Sequence, residues 1–229
     1  VPFFLEKVDL SNVTLVCVEG NHKQIDNAAI ALDISEKGIN FHDTLLIAPK
    51  NSTVYQKTFH KIPDITWGDY NRFILFELSN YIESDYAILI QTDGFIINPN
   101  LWDNKFLEYD FIGAPWDFKK NPHCADGIPQ YIKDRGYDKL NTVGNGGFSL
   151  RSKKFLEATK NSIFRCDGPE DQYLGNTYYD YFKKHNIRYA PEDVAKRFSR
   201  DPLPNFISTF GFHGLKGLIN DIKSKHYDC

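Results

Sequence analysis

The sequence predicts an α/β fold: a single domain with a mixed, mostly parallel central sheet flanked by helices. Three observations carry that expectation. Residues 12–19 (NVTLVCVE) make a short apolar, β-branched run, which reads as a buried strand. A helical pattern and a second apolar run follow it, and strand–helix–strand order begins a sheet with crossover connections. The run YAILI at 86–90 is apolar on both faces, as a central parallel strand must be.

The elements follow in order. Gly20 and Asn21 punctuate the first strand. Ile25, Ala28, Ala29 and Leu32 recur at i, i+3, i+4 and i+7, which makes an amphipathic helix that Gly38 ends. Residues 43–48 (DTLLIA) form the second strand, stopped by Pro49. Ile74, Leu78, Tyr81 and Ile82 mark a second helix starting near Asp69. Strand 86–90 runs into Gln91-Thr92-Asp93-Gly94. Short strands are expected at 95–98, before Pro99, and at 111–114. From about 115 to 142 the pattern dissolves among Trp116, Pro122, Gly127, Pro129 and Gly136, and an irregular lid is expected. A strand returns at 147–151 (GFSLR), and Ser152 caps a helix through Thr159. One helix is expected over 169–184, with Pro169 in its first turn, then short strands at 187–190 and 206–212.

Composition narrows the function classes. A chain of 229 residues, 41% hydrophobic, can bury one sizeable core. Its 27 basic and 30 acidic side chains give a net charge of −3, which argues against a protein that wraps nucleic acid. Cys17, Cys124, Cys166 and Cys229 include no C-x-x-C pair, so neither a disulfide scaffold nor a structural zinc site is expected. A cytoplasmic location follows, with peripheral membrane association left open. No apolar window is long enough for a membrane span. The sequence starts Val-Pro-Phe and contains no Met, so a trimmed leader or a place within a larger chain stays open.

Four constellations can carry chemistry. Asp93 follows the buried strand, where ligands collect in open α/β sheets, and Gly94 after it lets a cation or diphosphate come close. The alternative is a plain turn aspartate. Gly144-Asn145-Gly146-Gly147 before a strand implies close backbone approach, to a ligand or to another segment. Glu170 and Asp171 open a helix, where acids suit the macrodipole; a general base is also presented this way. His213, between Phe212 and Gly214, stands three residues before Lys216, whose charge suits phosphate. A lone His is equally a structural residue.

These blocks share one resemblance. The stretch 69–116, then VGNGGFSLRS at 143–152, PED at 169–171, APEDVAKRFS at 190–199 and FGFHG at 210–214, resembles the DUF5672 family. That family is similar to glycosyltransferases of the GT-A fold, which is Rossmann-like. The resemblance implies sugar transfer from a nucleotide-sugar donor, by family habit a UDP-sugar, to a glycan, lipid-linked or protein acceptor. It implies Mn²⁺ or Mg²⁺ at Asp93, the last position of a D-x-D motif whose first acid is here Gln91. It also implies His213 as a second metal ligand and Lys216 at the diphosphate. Asp171 becomes the base, and Glu170 an acceptor partner, or the reverse. Val18 and Glu19 fall where base and ribose are held. Arg72 contacts nucleotide or diphosphate, or is a surface arginine; Gly146 and Gly147 line the floor under donor and acceptor; and Trp116 offers a face to a sugar, or packs in the core. The acidic pair resembles inverting enzymes and the late metal His retaining ones, so both outcomes stand, with inversion the expectation. Two other readings stand beside it: a sugar- or nucleotide-binding module without turnover, and a metal-dependent nucleotidyltransferase or phosphoesterase.

Overall fold

The computed structural model describes residues 7–54, 58–201 and 209–226. Six strands form one mixed sheet, in the order β3-β2-β1-β4-β6-β5. The parallel half is β1 (Val8–Val18), β2 (Ile39–Ala48), β3 (Thr58–Lys61) and β4 (Tyr86–Ile90). The antiparallel half adds β5 (Phe111–Gly113) and β6 (Ser149–Ser152), with β6 paired to both β4 and β5.

Alternation along β1 explains the layers. Leu15 and Cys17 face one side, Val16 and Val18 the other, and all four are buried. On the first side Leu15 and Cys17 join Ile25, Ala28 and Leu32 of α1 (Ile25–Glu36), together with Phe198 of a later helix and the aromatic cluster of Phe106, Phe148, Phe210 and Phe212. On the second side Val16 and Val18 meet Ile74 of α2 (Trp67–Phe76). Thr66 and Asp69 close a reciprocal capping box at the start of α2, which fixes where that helix begins.

Several expected elements take another form. The second expected helix ends at Phe76, and Leu78–Tyr81 continues as a tighter 3₁₀ turn. Residues 95–98 and 187–190 are not strands: Ile96 makes a single antiparallel bridge to Gly211, and Tyr189 a single parallel bridge to Phe111. The expected strand 206–212 lies partly outside the described residues. Segment 115–142 is not shapeless. It holds the short helix α3 (Gln130–Lys133) and buries Trp116, Phe118, Ala125, Ile128, Ile132 and Leu140 against one another. Ser152 caps α4 (Lys153–Thr159) by accepting from the Phe155 amide at 3.0 Å, as expected.

The helix expected over 169–184 is broken. It consists of α5 (Glu170–Gln172), a π-helical turn over Tyr173–Thr177, and α6 (Tyr179–Lys184). The π turn packs on the glycine-rich run: a Cβ at Gly175 would lie 3.2 Å from both Gly144 Cα and the Trp116 ring. The wide turn carries this contact while α5 keeps its place under the glycine-rich turn. Two helices follow, α7 (Glu192–Phe198) and α8 (Leu218–His226).

Candidate active site

A cleft of about 670 Å³ opens at the carboxyl ends of β1 and β4. Crevices at that end of a parallel sheet are where open α/β folds bind ligands. Val18 and Glu19 line it from the end of β1, Asp93 from the end of β4, and Lys216 from the approach to α8. Four residues singled out in the sequence therefore share one wall. The starts of α1, α2 and α8 border the same space through Gln24, Trp67 and Ile219.

The turn after β4 is a tight one. The Gln91 amide donates to Gly94 O at 2.9 Å, and the Gly94 amide donates to Gln91 O at 3.1 Å. A Cβ on Gly94 would come 2.8 Å from Phe212 O and 2.9 Å from His213 Cδ2, so glycine lets the two segments touch. His213 thereby reaches Asp93, with Nε2 3.5 Å from Asp93 Oδ1. Each side chain is about one-fifth exposed.

The His213 ring is held on both nitrogens. Nδ1 lies 3.2 Å from Asp201 Oδ2, which also accepts from Asn145 Nδ2 at 2.6 Å. Nε2 lies 3.1 Å from Gln91 Oε1, and the Gln91 amide nitrogen donates to Tyr70 Oη at 2.7 Å. Burial works against the charged imidazolium, but the Asp201 hydrogen bond and the charges of Asp93, Asp201 and Asp171 outweigh it and raise the His213 pKa. Two acceptors on the ring agree with that direction. Burial likewise raises the Glu19 carboxyl, against the Asn21 amide that donates to it at 2.8 Å.

Asp171 sits beside this corner under the glycine-rich turn. Its Oδ2 accepts from the Gly146 amide at 3.1 Å and its Oδ1 from the Gln172 amide at 2.8 Å. Burial first, and the charge of Glu170 second, push its pKa up to about 7. Gly147 packs on the metal-site candidate itself: a Cβ there would lie 2.1 Å from His213 Nε2. Glu170 is turned the other way, buried, with Oε1 2.9 Å from Arg151 Nη2.

Not every expected residue converges. Arg72 is exposed on α2 and lies outside the cleft lining. Trp116 takes the second of its two expected roles: it is buried in the apolar cluster of the 115–142 segment, against Gly144. Three residues went unnoticed in the sequence: Trp67, 64% exposed on the cleft rim, and Tyr70 and Asp201, which hold Gln91 and His213. The Thr66-x-x-Asp69 box was a readable sign that Trp67 opens a helix. Asp201 carries no local signal.

Asp93 Oδ1 and His213 Nε2 would suit Mn²⁺ or Mg²⁺ only with the imidazole neutral and Nε2 released from Gln91 Oε1, its partner at 3.1 Å. Among the described residues no group of three or more His, Cys, Asp or Glu side chains is arranged to hold an ion unaided. Further ligands would come from a bound phosphate or from water.

The fold and cleft define an α/β protein with a ligand crevice at the sheet's carboxyl edge. The chain belongs to the DUF5672 family, described as "protein of unknown function", whose profile matches residues 52–213. No curated protein matches it. Among solved structures it is similar to a galactosyltransferase, LgtC, in complex with donor and acceptor sugar analogs, at 14% identity over 90% of this chain and 86% of that one, with a TM-score of 0.49. A glycosyltransferase involved in glycosylation of the major capsid of PBCV-1 is similar at 14% identity over 93% and 97% of the two chains, TM-score 0.49. Among the described residues no helix is long and apolar enough to cross a membrane.

Proposed function

We propose that this protein is a glycosyltransferase, one catalytic domain that moves a sugar from a nucleotide-sugar donor to an acceptor hydroxyl. The observation that carries the reading is the convergence of Glu19, Asp93 and Lys216 on one crevice, with His213 Nε2 3.5 Å from Asp93 Oδ1 just outside its lining and Asp171 held by the Gly146 amide. The family resemblance read from the sequence supports it.

In this reading Val18 and Glu19 bound the nucleoside, and the exposed Trp67 indole offers a face to the base. Lys216 is the only basic side chain in the cleft wall among the described residues, and it faces the diphosphate. Asp93 and a neutral His213, through Nε2, would hold Mn²⁺ or Mg²⁺, which would supply charge neutralisation for the leaving diphosphate. Asp171 takes the acceptor proton. A carboxyl with a pKa of about 7 is basic enough for that role and still ionised in about half the molecules at neutral pH. Gly146 holds the carboxylate by its amide, and Gly147 leaves the His213 ring its space. An acid that takes the acceptor proton while the acceptor oxygen attacks the anomeric carbon and the nucleoside diphosphate leaves gives inversion, and a UDP-sugar is the proposed donor. Arg72 stays outside the proposed site.

The test is product analysis. The protein is incubated with UDP-, GDP- and ADP-sugars and Mn²⁺, with and without an acceptor panel. The expected product is free nucleoside diphosphate, formed only with the metal and lost in Asp93→Ala. Donor binding without turnover would make this a binding module, and release of pyrophosphate would make it a nucleotidyltransferase. Either outcome overturns the proposal.

A further inference from the structure

We infer that Arg151, Ser149 and Glu170 form a positioning frame for Asp171, and that Glu170 acts by holding Arg151 rather than by touching the acceptor. This rests on the reading of Asp171 as the base. The frame is a closed circuit of hydrogen bonds. Arg151 lies on β6 and is 1% exposed, one of the largest fully buried side chains. A guanidinium there needs partners on every side. Its Nε donates to Ser149 Oγ at 3.0 Å, and its Nη2 donates to Glu170 Oε1 at 2.9 Å. Its carbon lies 5.6 Å from the centroid of the Phe111 ring. Ser149 Oγ donates to Gly146 O at 3.0 Å. The other side of that residue, the Gly146 amide, donates to Asp171 Oδ2 at 3.1 Å. The chain from Asp171 back to Glu170 closes the ring.

Three consequences follow from this geometry. The Asp171 carboxylate is fixed from two directions, by the glycine turn and by its own helix start. That start is pinned again by the Glu170 amide, which donates to Asn71 Oδ1 on α2 at 2.9 Å. Second, Gly146 lies directly on the ion pair: a Cβ there would be 2.4 Å from Glu170 Oε1 and 3.0 Å from Arg151 Nη2. No acceptor hydroxyl fits between them. Third, the charge of Glu170 remains beside Asp171 and opposes its ionisation. The other ionisable groups that face Asp171 are His213, from the loop before α8, and Cys124, from the 115–142 segment. Arg151 stands behind it on β6, across Glu170.

The experiment follows the Asp171 side-chain carboxyl carbon and the Gly146 amide by NMR through a pH titration. In the wild type both report one transition near neutral pH. In Glu170→Gln, checked for folding by its melting temperature, the transition moves to lower pH. Ser149→Ala keeps every charge and opens the circuit, so its Gly146 amide exchanges with solvent about tenfold faster. Glu170→Gln also lowers kcat and leaves the acceptor KM alone. An unmoved Asp171 transition in Glu170→Gln overturns the frame, as does a raised acceptor KM at unchanged kcat. If Glu170→Gln does not fold, unchanged Gly146 exchange in Ser149→Ala overturns it instead. The NMR readouts need no turnover, so an inactive protein refutes the proposed function without deciding the frame.

Discussion

Replacing Asp171 by Asn tests the proposed base through two independent readouts. The side chain keeps its shape and loses its charge. The Gln172 amide can still donate to the remaining carbonyl oxygen, but the new NH₂ faces the Gly146 amide, donor against donor. Under the proposed reaction, turnover falls by about 10²- to 10⁴-fold. The wild-type rate rises with pH through a midpoint of about 7, because the ionised form is the base. At pH 5 only about 1% is ionised, so the rate is roughly 100-fold below its plateau. Stability runs the opposite way. The folded carboxyl binds its proton more tightly than the unfolded one, so this group's stabilisation is complete below pH 4 and is lost as pH rises to about 7. The amide of the Asp171→Asn variant does not titrate and has no such loss. The assay is nucleoside diphosphate release from pH 5 to 9, with thermal melts from pH 4 to 8. The variant's melting temperature gains on the wild type as pH rises. Parallel melting curves, or an Asn variant within about threefold of wild-type turnover, would refute the reasoning.

Two further variants probe the rest of the site. In Gly147→Ala the new methyl lies 2.1 Å from His213 Nε2, so the ring swings away from Asp93 and Mn²⁺ affinity falls by about tenfold or more, read from the free-ion electron paramagnetic resonance signal. Unchanged affinity would remove His213 from the ligand set. Trp67→Ala removes a largely exposed indole, so stability changes by no more than about 0.5 kcal/mol. Nucleoside diphosphate affinity by calorimetry falls about 5- to 100-fold, as the loss of one base–aromatic stack requires. Equal affinity would place the base elsewhere.

The sequence displayed the buried half of the fold plainly. The pattern from 12 to 48 read as strand, helix and strand because its apolar positions pack into one or other of the two cores on the faces of the sheet. The strand β3 stayed hidden because it is a four-residue edge, TFHK, with three exposed residues and no apolar run; main-chain pairing to β2 defines it. The break in the 169–184 helix was equally silent. Its π turn meets Gly144 and Trp116, residues more than 30 positions away, which no local spacing announces. The same divide runs through the site. Asp93, His213, Lys216 and the Glu170–Asp171 pair stand in short recognisable blocks. Asp201 and Tyr70 act only through partners far along the chain, His213 and Gln91, so no local spacing announces them.

The segment from Trp116 to Leu140 packs around an apolar centre of its own. It meets the body of the protein through Trp116 on Gly144 and Gly175, and through Gln172, whose side chain donates to Cys124 O at 2.8 Å. Its outward residues, such as Tyr131, are therefore free to change without disturbing the sheet. A fold partitioned in this way can diversify that module's outer face by drift, while the carboxylates and glycines of the site stay under separate constraint.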